Sequence, residues 1–430
     1  MLIVYSLMWR LALPFVLLRL WLRGRREPGY RRHWNERLGF YPGPKSSVPT
    51  VWVHAVSVGE TRAAEPLIDA LLAQDPSCRI VLTHMTPTGR ATGQALFAKH
   101  GARLVQSYLP YDTGSMVRRF IRHFSPTICL LMETEVWPNL IATCRAQEVP
   151  VALVNARLSE RSLRRARRLG GLIRDAAQGI ALVAAQTEAD AARVRQLGVD
   201  QVVVTGSIKF DVVVPEDRRM LGARLRERIG ARPVLLCAST REGEEEVILD
   251  AFIRHRASLG ETLLLLVPRH PQRFTLVAAM AEARGLRVRR RSALALEPDH
   301  ASGAALAENI DVLLGDSMGE MFAYYAACDC AFIGGSLLPL GGQNLIEACA
   351  LGKPVLIGPH TFNFAVSSEE AIAAGAALRV ADADALITQA ARLLRDDAAR
   401  AQMGQQALAW TGSHRGATQR TLALLPALIK

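Results

Sequence analysis

Short runs of apolar, β-branched residues alternate along most of this chain with longer stretches whose apolar positions recur every three or four residues. That alternation predicts parallel sheets covered by helices, an α/β fold. In the first half the strand candidates are Val51–Ala55, Ile80–His84, Ile128–Met132, Val151–Asn155, Ala181–Ala185 and Val202–Thr205, enough for one doubly wound sheet. The second half repeats the pattern at Val234–Ala238, Leu263–Val267, Leu286–Arg290, Val312–Leu314, Ala331–Ile333, Val355–Ile357 and Ala377–Val380. Between the halves, Gly206–Pro215 breaks the rhythm. The expected organisation is therefore an N-terminal segment 1–25, a Rossmann-like domain 26–206, a linker 207–216, a second Rossmann-like domain 217–410, and a C-terminal helix over 411–430 packing back on the first domain.

The stretch Ile3–Leu22 departs from that alternation, being apolar apart from Ser6, Arg10 and Arg19. It is long enough to span a bilayer. A central Arg costs about 2.5–3.5 kcal/mol on insertion scales, and Pro14 interrupts the helix, so a tilted or in-plane segment is the alternative, with a buried first helix as the third reading. Arg23, Arg25, Arg26, Arg31 and Arg32 follow the apolar run rather than precede it, and no small-residue cleavage site is present. A cleaved secretory peptide is thereby disfavoured, and the following domain is expected on the cytoplasmic side of an inner membrane.

Composition sharpens this picture. The formal net charge is +12 over 430 residues, and residues 1–45 hold nine Lys/Arg against Glu27 and Glu36. A basic terminus beside an apolar run points to anionic lipid rather than nucleic acid, for which no module is recognisable. A second basic stretch, Arg157 to Arg174, reads equally as a bilayer- or phosphate-facing surface and as a solvated helix face. Seven scattered cysteines, mostly inside apolar runs, suit a reducing compartment, and Cys328-x-Cys330 reads as buried thiols rather than a zinc pair.

Open parallel sheets bind ligands beyond the carboxyl ends of their strands, so residues just after strands are the candidates for chemistry. After the first strand, Ser57-Val-Gly-Glu60-Thr61 opens a helix with Glu60 in its first turn, where it serves either as a reactive carboxylate or as a complement to the helix dipole. Met85-Thr-Pro-Thr-Gly89 reads as a hydroxyl-rich turn or a capped helix start. Glu133-Thr-Glu135-Val-Trp137 crowds two acids and an aromatic at one strand end, which is seldom structural, with a simple helix cap as the alternative for one of the pair. In the second half Pro268-Arg269-His270 supplies a guanidinium suited to phosphate, and Met318-Gly319-Glu320 lies in a turn before a helix, either backbone N–H groups for an oxyanion or a simple helix cap. A glycine-rich loop then leads into Asn344-Leu345-Ile346-Glu347, either a capping pair or a nucleotide site in which Glu347 accepts the ribose hydroxyls. No P-loop or GxGxxG fingerprint is present, which argues against an NTPase or a dehydrogenase.

Taken in order, the strings SVGET (57–61), MTPTG, LPYD, METEVWPN, NARLS, TGSIKFD, VPRHP, GDSMGE, GGSLLPLGGQN and GPHTFNF resemble the 3-deoxy-manno-octulosonic acid (Kdo) transferases of lipopolysaccharide synthesis, glycosyltransferase family 30. The resemblance runs to about residue 365. It implies a GT-B fold, two Rossmann-like domains facing across a cleft, with the acceptor on the first and the CMP part of the donor on the second. It implies an inverting transfer of Kdo from CMP-Kdo to the lipid A precursor. Glu60 matches the family's proton acceptor, and Glu133 and Lys209 its transition-state stabilising pair. Pro268, Arg269, Met318, Gly319, Glu320, Asn344, Leu345, Ile346 and Glu347 match its CMP-binding segments. The family loop commonly reads NPLE; here it is Asn344-Leu345-Ile346-Glu347, with the polar ends kept.

The implied partners are CMP-Kdo as donor substrate, the lipid A precursor and inner-membrane lipid, with no nucleic acid, no separate cofactor and no metal. The one DxD match, Asp382-Ala-Asp384, reads as a helix cap. Two rivals stand beside this reading: another GT-B sugar-nucleotide enzyme such as an epimerase or a UDP-sugar transferase, and a non-catalytic, membrane-docked nucleotide-binding protein.

Overall fold

The computed structural model describes residues 1–25, 27–42, 48, 50–168, 170–294, 306 and 309–428, so Arg26 lies outside the described residues. The chain packs as two compact units, one of Met1–Asp211 with the C-terminal stretch from His414, the other of Val212–Ser413.

The first unit is built on seven parallel strands: β1 (Thr50–His54), β2 (Arg79–His84), β3 (Leu104–Tyr108), β4 (Pro126–Met132), β5 (Val151–Ala156), β6 (Leu182–Ala185) and β7 (Val202–Val204). Their order is β3-β2-β1-β4-β5-β6-β7. The sequence pattern predicted six. The missed strand, β3, reads LVQSY and pairs only with β2; as an edge strand it leaves Val105 exposed and carries a mixed rather than apolar pattern. Every residue of β1 and β5 is buried, and apart from Thr50, His54 and Asn155 they are apolar in the sequence.

The second unit carries β8 (Val234–Thr240), β9 (Leu263–Pro268), β10 (Val288–Arg290), β11 (Val312–Leu314), β12 (Cys330–Ile333), β13 (Val355–Ile357) and β14 (Ala377–Arg379), in the order β10-β11-β9-β8-β12-β13-β14. Here β11 is inserted between β9 and β10, so the two sheets are sisters in architecture but not in strand order. Each sheet reverses its winding once, between β1 and β4 in the first and between β8 and β12 in the second. A doubly wound sheet opens its ligand crevice at that switch point.

Two expected boundaries shift. Residues 207–211 are not a free linker: Ile208–Phe210 form a buried 3-10 turn of the first unit, and the Asp211 carboxylate accepts the N–H groups of Gly416 (2.6 Å) and Thr418 (2.5 Å). The last helix is Ala417–Leu424, because residues 411–414 finish the preceding helix Asp397–His414 and Gly416 then turns the chain at φ 91°. Ala417, Leu422 and Leu425 enter the first unit's core beside Leu67 and Ile208.

The N-terminal helix Leu2–Arg23 runs through Pro14 without a break and is long and apolar enough, by length and composition, to cross a membrane. It is not a buried core helix, since Ile3, Val4, Leu7, Met8, Leu11, Phe15 and Leu18 are all exposed. All seven cysteines are free, and all but Cys78 are buried.

Candidate active site

At the carboxyl end of β1 the chain turns through Val56 and Ser57 into the helix Val58–Ala63. Ser57 caps that helix, its Oγ accepting the Glu60 N–H at 3.5 Å, while the Glu60 carboxylate accepts from the Val56 N–H (2.7 Å) and the Ser57 hydroxyl (3.3 Å). Glu60 thus completes a helix cap while its side chain stays half-buried at a strand end. Burial pushes its carboxyl up to about 7; the Val56 N–H opposes that rise, and the negative charges of Glu133 and Glu135 add to it.

Residues 85–89 brace this turn. Thr86 caps the helix Pro87–Phe97 by accepting the Gly89 N–H (3.1 Å) and donates its hydroxyl to Val56 O (3.3 Å). A Cβ on Gly89 would come within 2.9 Å of Thr86 Oγ1 and 3.3 Å of Val56 O, so the helix start needs glycine to approach so closely. Beneath lie two imidazoles kept neutral by burial, His54 pushed down to about 3 and His84 to about 4.

Across the switch point, Glu133 follows β4 with φ at 59°, a left-handed backbone unusual for a side-chain-bearing residue. Its Oε1 lies 2.7 Å from Lys209 Nζ, each side chain about one-quarter exposed (21% and 26%), which leaves the pair reachable from solvent. Lys209 rides on the turn Ile208–Phe210, and that turn is pinned from β5: Asn155 Oδ1 accepts the Ile208 N–H (3.1 Å) and the Ser207 hydroxyl (3.3 Å). Asn155 is fully buried and itself left-handed at φ 53°. Sequence reasoning quoted it only within a string; the available signal was one amide placed inside the apolar run Val151–Ala156. Glu135, the other acid of this loop, is pushed up by burial and by Glu133, against a lowering from the Trp137 indole.

The second unit repeats the strand, turn and acidic helix start with another outcome. After β8, Glu244 opens the helix Glu244–Arg254 and is completely buried. Its carboxylate accepts three backbone N–H groups, from Arg241 (2.9 Å), Gly335 (2.6 Å) and Leu337 (3.0 Å). It thus holds the glycine loop after β12 and is shut away from solvent, a role the sequence reading did not identify. Gly334 lies so close to β8 that a Cβ would stand 2.6 Å from Ser239 O.

Of the residues matched to the donor, Pro268 closes β9 and the Arg269 N–H donates to Thr240 O (2.9 Å). Met318 and Gly319 are exposed, with Gly319 at φ 77°. Glu320 accepts the Ser317 hydroxyl (2.6 Å) and pairs with Arg291 (3.1 Å), so its carboxylate is engaged within the unit. Asn344 accepts the Ile346 N–H (3.1 Å) and donates to Glu347 Oε1 (3.1 Å), a mutual cap in which Leu345 rather than Asn344 is the residue preceding the helix. Leu345 and Ile346 are buried in the core. The DxD match is a cap: Asp382 accepts the Ala385 N–H (2.8 Å), and Asp384 pairs with Arg254 and His255.

Residues 32–212 match the family model of the 3-deoxy-D-manno-octulosonic-acid transferases (kdotransferase), and residues 297–410 match glycosyl transferases group 1. The 3-deoxy-D-manno-octulosonic acid transferase of Bordetella pertussis is 49% identical over 430 residues, 98% of each chain. The chain belongs to the Kdo transferase family. The Haemophilus influenzae Kdo transferase is 36% identical over 98% of this chain and 97% of its own. Among solved structures, the UDP-GlcNAc 2-epimerase of Neisseria meningitidis bound to UDP-GlcNAc covers 88% of this chain and 100% of its own at TM-score 0.58 and 15% identity, a likeness of fold alone. The chain is accordingly a glycosyltransferase of GT-B architecture, not the epimerase whose fold it shares.

Proposed function

We propose that the chain transfers Kdo from CMP-Kdo to the lipid A precursor (lipid IVA), with inversion at the anomeric carbon. Glu60 takes the proton of the acceptor hydroxyl as the new C–O bond forms and the bond to the CMP phosphate breaks. A sugar hydroxyl is a poor nucleophile, and a general base works best with a pKa near the working pH. The observation that carries this reading is the half-buried Glu60 carboxylate, held by the Val56 N–H at the carboxyl end of β1, where burial raises its carboxyl to about 7. Lys209, paired with Glu133 at 2.7 Å, supplies a cation for the charge developing on the departing phosphate. Glu133 steadies the oxocarbenium-like ring or tunes Glu60.

On the donor side we assign the CMP to the strand ends of the second unit. Arg269 meets the phosphate with the amides of Met318, Gly319 and Glu320 and of the glycine loop, and Asn344–Glu347 meets the ribose. A nucleoside monophosphate leaving group carries less charge than a diphosphate, so arginine, lysine and backbone N–H groups suffice without a metal ion. The helix Leu2–Arg23 and its trailing arginines support docking on the cytoplasmic face of the inner membrane. Glu60→Gln tests the assignment: it keeps an oxygen to accept the Val56 N–H but removes the base, and we expect transfer to fall by about 10²–10⁴-fold with CMP binding unchanged. Turnover near wild type would reject Glu60 as the base.

A further inference from the structure

The helix Leu2–Arg23 is fastened to the first unit along its whole length. Near its start the Tyr5 hydroxyl donates to Asp112 (2.9 Å) and the Ser6 hydroxyl to Asn139 Oδ1 (2.8 Å), both buried partners. Asp112 in turn accepts the N–H groups of Asn139 (3.1 Å) and Leu140 (2.7 Å). Midway, Trp9 packs on Tyr111 with ring centroids 5.7 Å apart, and Leu13, Val16, Leu17 and Leu20 close a cluster with Tyr30 and Tyr111. Toward the far end, Arg31 Nε donates to Trp21 O (3.1 Å).

Positions 5, 6, 9, 13, 16, 17 and 20 form one helical face, and Val4, Leu7, Leu11, Phe15, Leu18 and Leu22 are exposed on the other. At about 100° per residue, Arg10 lies roughly 100° to one side of the middle of that outward stripe and Arg19 roughly 80° to the other. A helix of this length measures about 33 Å, close to the roughly 30 Å of bilayer hydrocarbon, so spanning would carry one end to the far surface. Both ends are instead held by the same unit. Crossing would strip Asp112 and Asn139 of their helix partners and bury Arg10 in hydrocarbon.

We infer that Leu2–Arg23 is an in-plane anchor, its Val4–Leu22 stripe sunk into one leaflet of an anionic bilayer, with Arg10 and Arg19 at the headgroups on its two flanks and its N terminus on the same side as the first unit. This rests on the membrane docking proposed above. Arg23, Arg25, Arg31 and Arg32 extend the basic border at the helix end.

The test uses the full chain, in a Cys78→Ser background, on vesicles of phosphatidylethanolamine and phosphatidylglycerol. A fluorophore is placed in turn at L7C, L11C, F15C and L18C and quenched by lipids brominated at graded depth. Short protease-cleavable tags mark both termini. We expect one shallow depth at all four positions, and both tags cut from the same side. A fluorophore at position 11 near the bilayer centre with positions 7 and 18 progressively shallower, or an N-terminal tag reached only from the opposite side, overturns the in-plane anchor. Protein that washes off the vesicles overturns the docking beneath it, and the inference with it.

Discussion

Glu60 and Glu244 occupy matching places, each in the first turn of the helix that follows the first strand of its sheet, yet their surroundings give them different work. Three N–H donors hold the fully buried Glu244, whereas Glu60 has one N–H and one hydroxyl and is partly open. For catalysis the base must be unprotonated, so kcat/KM should rise with pH through an acid limb near 7. The sign for stability is opposite. A carboxyl raised from 4.5 unfolded to about 7 folded binds more protons in the native state across that window, so its contribution is lost as pH rises through it. Glu60→Gln should therefore stabilise the protein above pH 7, by roughly 1–3 kcal/mol, in denaturant melts. Because Glu133 adds to the rise, Glu133→Gln should move the acid limb to lower pH, and Lys209→Ala, which leaves Glu133 uncompensated, should move it higher; pH–rate profiles of both variants check the two directions. Glu60 was legible in the sequence as a residue, but its titration was not, because the Val56 bond and the burial that set it exist only once the chain is folded.

Among elements, two left-handed residues shape the strand ends of the first unit: Glu133 turns the chain after β4, beside the β1–β4 switch point, and Asn155 in β5 holds the Ser207–Ile208 turn. Asn155→Ala removes both bonds to the Ser207–Ile208 turn, and we expect Lys209 to lose its placement, with kcat down by about 10²-fold and KM for CMP-Kdo little changed. Asn155→Gly should regain some stability by relieving the φ of 53° without regaining rate, which separates positioning from folding. In the second unit Glu244→Gln sets an NH₂ group against backbone donors. Loss of roughly 1–3 kcal/mol in denaturant melts and weaker CMP binding by calorimetry should follow. Neither residue was read from the sequence as functional, since Asn155 acts on Ile208 and Glu244 on Gly335, partners far along the chain. The inner strands were legible because they are buried on both faces; β3 was not, because LVQSY mixes polar and apolar positions along a partly exposed edge.

At the scale of the molecule, the alternating pattern predicted two parallel α/β units, while the insertion of β11 between β9 and β10 left no trace in periodicity, since strand order is set by crossover packing rather than by any strand's composition. The packing of 207–211 into the first unit was hidden for a similar reason: Asp211 is held by Gly416 and Thr418, at the other end of the chain. The helix Leu2–Arg23 was legible as apolar, but its two faces separate only when Tyr5, Ser6 and Trp9 are seen against Asp112, Asn139 and Tyr111. The basic border beside it should make docking on anionic vesicles weaken as salt shortens the Debye length from about 10 Å at 0.1 M to about 3 Å at 1 M, which co-sedimentation measures. The most direct test of the whole account is mass spectrometry of tetra-acylated lipid A precursor after incubation with CMP-Kdo and the purified protein in detergent. Product heavier by whole Kdo units, CMP released in equal number, and no product from Glu60→Gln protein that still binds CMP are the results expected. Unchanged lipid from wild-type protein that binds CMP-Kdo would contradict it.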